Sequence, residues 1–257
     1  MPSFYRSKRG RGYEPPPVPA VAELDLTPAP GVVEAPEVAH AAALEEVRSH
    51  LYPRLRWAPD LPGPVPSYAA RPLPGVVELA SVDHPTHVTD LLSNEAVERI
   101  GGWPTARRVA MANLRALPAL HQDTIHAARG RDDSVVHVLT SSDHFGASRV
   151  LVLPEVLEML RLEPPPHGVL VAVPNHQLLA LHPVVGPGAV AALQLLARIS
   201  TGEHDQHPGP VSRHVYFVPA SGAGAEQVTS FGDDGTLTVE VAGALAGAFA
   251  ALGLIAP

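Results

Sequence analysis

Apolar positions alternate with polar ones, or run together in short blocks, at intervals that predict β-strands. Val76–Val82 alternates apolar and polar residues and predicts a strand. Gly168–Val173 is a continuous apolar block, typical of a strand buried on both faces, and the turn at residues 174–176 predicts a hairpin with Gln177–Leu181. Further strands are predicted at Ser134–Thr140, Ser148–Leu153, Arg213–Val218, Gln227–Thr229 and Thr236–Val241.

Helical spacing of apolar residues predicts the remaining elements. Residues 86–100 form one candidate helix, with Thr86 as its cap and the glycine pair at 101–102 as its stop. Pro104 suits the first turn of a second helix, which carries Asn113 as a partly buried amide. Other helices are predicted at Ala41–Leu51, Pro154–Leu162, Ala189–Ile199 and around Leu245–Leu252.

The order of these elements predicts an α+β fold. Helices lie between clusters of hairpin-linked strands, which favours a mixed, largely antiparallel sheet with helices packed on it. We expect residues 1–40 to be a disordered tail, first basic and then rich in proline and glutamate. Residues 41–74 are interpreted as a short helix and a proline-rich linker, and residues 75–257 as a single α+β domain.

The composition excludes several kinds of chemistry but does not identify a function. The chain has no cysteine, which excludes disulfides, thiol nucleophiles and cysteine-ligated metals. Lys8 is the only lysine. A net charge of −8 argues against nucleic acid as a partner, because phosphate binding needs a basic face.

No secretory signal or membrane-spanning segment is predicted. The longest apolar run, Val241–Ala256, is shorter than the roughly 20 residues of a spanning helix, so we expect a cytoplasmic protein. Four basic residues near the N-terminus could contact an acidic partner, a lipid headgroup or RNA, although a solvated tail is the simpler interpretation. They are Arg6, Lys8, Arg9 and Arg11.

Several short motifs resemble the YtpQ-like bacterial family of unknown function. They are Ala112-Asn113-Leu114, Asp143-His144-Phe145 with Ser148 before VLVLP, the hairpin VLVAVPNHQLLAL at 169–181, and Val211-Ser212 before HVYFV. Together they span roughly residues 75–240. The sequence departs from the family at the hairpin turn, where it has Asn175-His176. The resemblance implies an α+β cytoplasmic domain and brings no known activity.

Histidine, with 14 residues, is the residue type that suggests chemistry. The candidate metal ligands are His204, His207 and His214, since imidazole and carboxylate groups at short spacing can bind zinc, nickel or iron. Because residues 203–207 are predicted to lie in an exposed loop without the helical HExxH spacing, a solvated loop is the simpler interpretation.

A second set of polar residues lies in loops at strand ends, where binding sites concentrate. The candidates for a ligand or partner surface are Asp143 and His144, before one predicted strand, and Asn175 and His176, in the hairpin turn. His84, beside a strand-to-helix junction, could join them if the fold brought three loops together. The alternative is that these residues only cap and close turns.

No complete catalytic set is apparent in the sequence, and no catalytic residue is assigned. We therefore expect a non-enzymatic binding or accessory module that acts through an unidentified protein partner. The alternative is a metal-dependent hydrolase that uses loop histidines and aspartates with a divalent transition metal. Its candidate residues are His84, Asp143, His144, His176, His204 and His207. The sequence leaves the oligomeric state open.

Overall fold

The computed structural model describes the backbone of residues 36–256 and the side chains of residues 43–256. Within that range the chain forms six helices and twelve strands. The helices are α1 (Pro36–Ser49), α2 (Asn94–Arg99), α3 (Gly102–Ala116), α4 (Leu153–Met159), α5 (Ala189–Gln206) and α6 (Gly243–Ala251). The strands are β1 (Leu51–Trp57), β2 (Ala70–Leu73), β3 (Val76–Asp83), β4 (Val88–Asp90), β5 (His121–His126), β6 (Val135–Thr140), β7 (Val169–Ala172), β8 (Leu178–Pro183), β9 (Val215–Val218), β10 (Glu226–Gln227), β11 (Thr229–Phe231) and β12 (Leu237–Val239).

Contacts divide the chain into residues 1–43 and 44–257, and the second unit carries the fold described here. The predicted disordered tail, residues 1–40, lies almost entirely outside the described residues. None of the described helices is long and apolar enough to cross a membrane.

The larger sheet has six strands in the order β10-β9-β7-β8-β6-β5, and every neighbouring pair is antiparallel. A smaller sheet has the order β1-β3-β2, with β4 also paired to β3. The strands β11 and β12 form a separate hairpin. The predicted α+β fold with a largely antiparallel sheet is therefore confirmed.

Two apolar clusters cover the two faces of the larger sheet. On one face Leu170 and Phe217 pack with Leu193 and Leu196 of α5 and Phe249 of α6. On the other face the sheet packs with side chains of α3, α4 and the smaller sheet. Because β7 and β8 are buried at every position, they form the centre of the domain.

The predicted linker contains two strands of the smaller sheet. Leu51–Trp57 pairs along its whole length with β3, so the prediction that residues 41–74 hold only a helix and a linker was wrong. Pro53 made the segment resemble a helix end, but β1 is an edge strand of its sheet, where a proline is tolerated. The compact unit begins at Leu44 rather than at residue 75.

The predicted helix at residues 86–100 is replaced by strand β4 and the shorter helix α2. Ser93, not Thr86, caps α2, because its hydroxyl accepts a hydrogen bond from the Ala96 N–H. The apolar spacing was compatible with a helix, but pairing with β3 and an ion-paired Asp90 hold residues 88–90 extended. Tertiary contacts here override a weak local preference.

The predicted strand at residues 148–153 is also wrong. Residues 147–152 form a 3₁₀ helix that continues into α4. Apolar valines and leucines at 150–153 imitate a buried strand, but the Arg149 N–H donates to the carbonyl of Gly146, three residues earlier, as in a 3₁₀ turn. The Ala147 N–H donates to the carbonyl of His176 in the neighbouring turn.

Asn113 behaves as predicted for a half-buried amide. Its Nδ2 donates to the carbonyls of Arg48, at 2.8 Å, and Leu51, at 2.9 Å. These two bonds fasten helix α3 to the segment that leads into β1.

A partly buried ion pair joins α3 to β3. The Glu78 side chain is fully buried, and Arg107 donates from Nε to Oε1 at 2.8 Å and from a terminal nitrogen to Oε2 at 3.2 Å. Burial raises the pKa of Glu78, and Arg107 opposes that rise.

We expect Arg107→Ala to lower the free energy of unfolding by about 2 kcal/mol, because Glu78 would remain buried without a partner. The value lies below that for a fully buried pair because 42% of the Arg107 side chain is exposed. Urea denaturation at neutral pH measures the change. The control is Arg99→Ala on the exposed side of α2, and an equal effect of both substitutions would contradict the prediction.

Candidate functional site

His144 and His176 come from separate loops and meet at the surface. His144 lies in the loop after β6, and His176 lies in the turn between β7 and β8. Their ring centroids are 4.8 Å apart and the rings are inclined by 44°. His144 is exposed, whereas His176 is only 8% exposed. The structure thus brings together two of the four residues predicted as a ligand or partner surface.

The main chain of Gly209 fixes the orientation of His176. Its carbonyl accepts hydrogen bonds from the backbone N–H of His176, at 3.0 Å, and from ring Nδ1, at 3.2 Å. Because a carbonyl can only accept, Nδ1 carries the proton and Nε2 of the neutral ring is an acceptor. Burial lowers the pKa of His176 to about 4, with smaller contributions from His144, Arg54 and Arg56. The ring is therefore neutral at pH 7.

Asp143 and Asn175, the other two predicted residues, shape the loops. Asp143 Oδ1 accepts a hydrogen bond from the Phe145 N–H at 2.7 Å. Asn175 is 4% exposed, and its Oδ1 accepts from the Gln177 N–H at 3.0 Å. Both side chains close tight turns of a kind common for Asn and Asp. Their observed contacts match the alternative interpretation of turn residues, and they hold the two histidines in place.

The positive charges of two arginines of β1, Arg54 and Arg56, contribute to the lowered pKa of His176. Arg54 and Arg56 contact opposite oxygens of the Asp90 carboxylate, at 3.1 Å and 2.6 Å. The Ser81 hydroxyl also donates to Asp90, at 2.7 Å. Two guanidinium groups on one carboxylate leave one positive charge in excess. We call His144, His176, Arg54 and Arg56 the histidine–arginine surface.

Arg54 and Arg56 were not predicted as site residues, because residues 41–74 were interpreted as a short helix and a linker. The available signal was the alternation in LYPRLRW, residues 51–57. Leu51, Pro53 and Leu55 are buried, whereas Tyr52, Arg54 and Arg56, each one position further along, are only partly buried. Tyr52 stacks on the buried Phe145 with ring centroids 4.5 Å apart, which connects β1 to the loop of His144.

The predicted metal ligands are held in different ways. Residues 203–206 belong to the last turn of α5, so the expectation of a loop there was wrong. His207 Nε2 lies 3.0 Å from a carboxylate oxygen of Glu203, one helical turn earlier. His204 Nδ1 lies 3.0 Å from Asp205 Oδ1. His214 Nδ1 donates to the carbonyl of Thr229 at 2.9 Å, and burial lowers its pKa.

His204 and His214 share the wall of one small cavity. Its volume is about 250 Å³, and the indole of Trp57 lies 5.5 Å from the His214 ring. Across residues 43–256, no three His, Cys, Asp or Glu side chains are grouped so as to hold a metal ion. A site of three protein ligands is therefore not preformed in this part of the chain.

His84 has a different set of neighbours. It stacks on His87 with ring centroids 4.6 Å apart, in the tight turn between β3 and β4. Burial and the nearby imidazole of His87 lower the pKa of His84. A combined site of His84, His144 and His176 was expected only if three loops met; His144 and His176 contact each other, whereas His84 stacks on His87. The hydrolase hypothesis stays a prediction.

Comparison of the chain with protein-family models, with curated proteins and with solved structures finds no match. The resemblance to the YtpQ-like family therefore stays a prediction.

His176 should make the stability of the fold depend on pH. Its pKa is lowered from 6.5 to about 4 in the folded chain. Because the unfolded chain then binds a proton more readily than the folded chain, the His176 contribution to the free energy of unfolding is complete above pH 6.5 and decreases as the pH falls towards 4. The decrease amounts to about 3 kcal/mol from the linkage between pKa and stability. Denaturation curves of the wild type and of His176→Asn between pH 4 and 8 measure it. A constant difference between the two proteins over this range would contradict the assignment.

Gly209 should not tolerate a side chain. Its φ of +70° is in the left-handed region, and an added Cβ would lie 1.9 Å from Nδ1 of His176. We expect Gly209→Ala to destabilise the fold by about 2 kcal/mol or more from strain and overpacking. Gly222→Ala is the matched control: it has a similar φ of +74° but nothing within 4 Å of the added Cβ. Thermal unfolding compares them, and equal losses would show that His176 does not constrain position 209.

Proposed function

We propose that this protein is a non-enzymatic binding module of the cytoplasm that recognises a protein partner through the histidine–arginine surface. The observation that supports this proposal is the meeting of His144 and His176, from two separate loops, where the charges of Arg54 and Arg56 act on the pKa of His176. Binding sites are commonly built from loops that a rigid scaffold holds in position.

The surface is held rigid before any partner binds. Gly209 fixes His176 through two hydrogen bonds, and the turns closed by Asp143 and Asn175 hold the loops. A surface that is already ordered loses little conformational entropy on binding. This supports recognition by preformed polar groups rather than by folding around the partner.

The charges favour an acidic group on the partner. Arg54 and Arg56 share a single carboxylate, and their side chains are 14% and 30% exposed. The neutral imidazole of His176 adds no charge, and the exposed ring of His144 can donate or accept a hydrogen bond. An aspartate, a glutamate or a C-terminal carboxylate would balance the excess positive charge.

The test compares two single substitutions of exposed imidazoles. We expect His144→Ala to weaken partner binding about tenfold, as for a residue near the centre of an interface. His207→Ala, at the end of α5, is the control and should bind as the wild type does. The wild type and both variants are first used to retain proteins from a lysate of the source organism. A protein that the wild type and the control retain, and that His144→Ala retains less, is then purified and titrated by calorimetry.

Calorimetry decides the outcome. A purified partner that binds the wild type and His207→Ala equally, and His144→Ala more weakly, supports the proposal. A partner whose affinity is the same for all three proteins binds elsewhere and would overturn it. Binding that does not weaken with added salt would contradict the acidic recognition group, because exposed charges are screened.

A further inference from the structure

The edge of the larger sheet is formed by a strand that nothing in the described chain covers. Strand β5 is the last in the order β10-β9-β7-β8-β6-β5, and all six of its residues are exposed. Successive side chains of a strand point to opposite faces, so β5 is uncovered on both faces. It extends beyond the helices and the smaller sheet that cover the central strands.

Hydrogen bonding in the neighbouring strand shows which backbone groups of β5 face outward. The Ser141 N–H donates to Gln177, so odd-numbered residues of β6 bond towards β8 and even-numbered ones towards β5. The Ala127 N–H donates to Ser134, which gives the same alternation. The N–H and C=O groups of Gln122, Thr124 and His126 therefore point away from the sheet.

Strand β5 has few of the features that protect sheet edges from pairing. Its sequence, HQDTIH, contains no lysine and no proline, and its register with β6 is unbroken by a bulge. Its one acid, Asp123, lies 3.4 Å from the His121 ring. Ile125 exposes 41% of its surface. An edge of this kind is a template for a further strand.

We propose that the occupant is a second copy of this chain, which pairs β5 to β5 in antiparallel orientation about a two-fold axis at Thr124. The two larger sheets then form one continuous sheet. This proposal is independent of the histidine–arginine surface, because it rests on the backbone groups of β5 alone.

The positions of the outward-facing residues select this register, because an axis at Thr124 pairs all three of them with one another. With the axis at Thr124, Gln122 faces His126 of the second copy, and the outward groups of both strands form six hydrogen bonds. Asp123 then lies opposite Ile125 of the second copy. Moving the axis to Asp123 would place two carboxylates directly opposite each other, which destabilises a strand pair.

The size of the contact predicts weak association. A six-residue strand pair buries less than the roughly 1,000 Å² of a stable interface. The dimer should therefore form at high protein concentration and dissociate on dilution.

Sedimentation velocity on the full chain tests the proposal. Protein concentrations from about 10 µM to 1 mM cover the range in which a weak dimer dissociates. We expect the wild type to pass from one chain to two as the concentration rises. Thr124→Pro removes an outward N–H without removing a hydrogen bond to β6, and should remain monomeric. Thr124→Lys should also remain monomeric, because it places two like charges at the axis. The control is Thr86→Lys, in the exposed turn before β4, which should dimerise as the wild type does.

Mixing variants then tests the register. Thr124→Lys mixed with Thr124→Glu should restore a dimer, since the two charges at the axis become opposite. Circular dichroism of each variant checks that the fold is retained, and the lysine and glutamate variants keep the test valid if the proline variant unfolds. A wild type that stays monomeric at the highest concentration, or a dimer that persists in Thr124→Lys, would overturn the proposal.

Discussion

The hairpin of β7 and β8 lies at the centre of the domain, and every residue of both strands is buried. Even-numbered apolar side chains of the two strands pack with α5 and α6. Odd-numbered ones pack with α3, α4 and the smaller sheet. Burial on both faces fixes the register, because a shift by one residue would exchange the two clusters. The turn of the same hairpin presents His176 to Gly209. Core packing therefore determines where the histidine–arginine surface forms.

Three histidines with low exposure make the same kind of hydrogen bond. His176, His182 and His214 each donate Nδ1–H to a main-chain carbonyl, and burial lowers the pKa of each ring. A neutral imidazole with one satisfied donor costs less to bury than a charged one. This explains part of the high histidine content without metal binding or catalysis.

The sequence predicted the elements whose apolar pattern agrees with their final environment. The strand pair at residues 168–181 and helix α3 are examples, as is the role of Asn113. The segments at 51–57, 86–100 and 148–153 were wrong because contacts distant in sequence decide their conformation. Pro53 occupies a sheet edge, Asp90 is held by two arginines, and Ala147 bonds to a neighbouring turn. The pairing of His144 with His176 could be suggested from the sequence, but Arg54 and Arg56 could not, since their strand was unrecognised.

The order of strands in the larger sheet bears on how the chain folds. Strands β5 and β6, β7 and β8, and β9 and β10 each pair with their nearest neighbour along the chain. These three hairpins close short loops and lose little chain entropy in forming. The pairings of β6 with β8 and of β7 with β9 must instead enclose α4 and the whole of α5, respectively. The loop-closure entropy that opposes formation of this sheet is therefore largest for the two pairings that enclose α4 and α5.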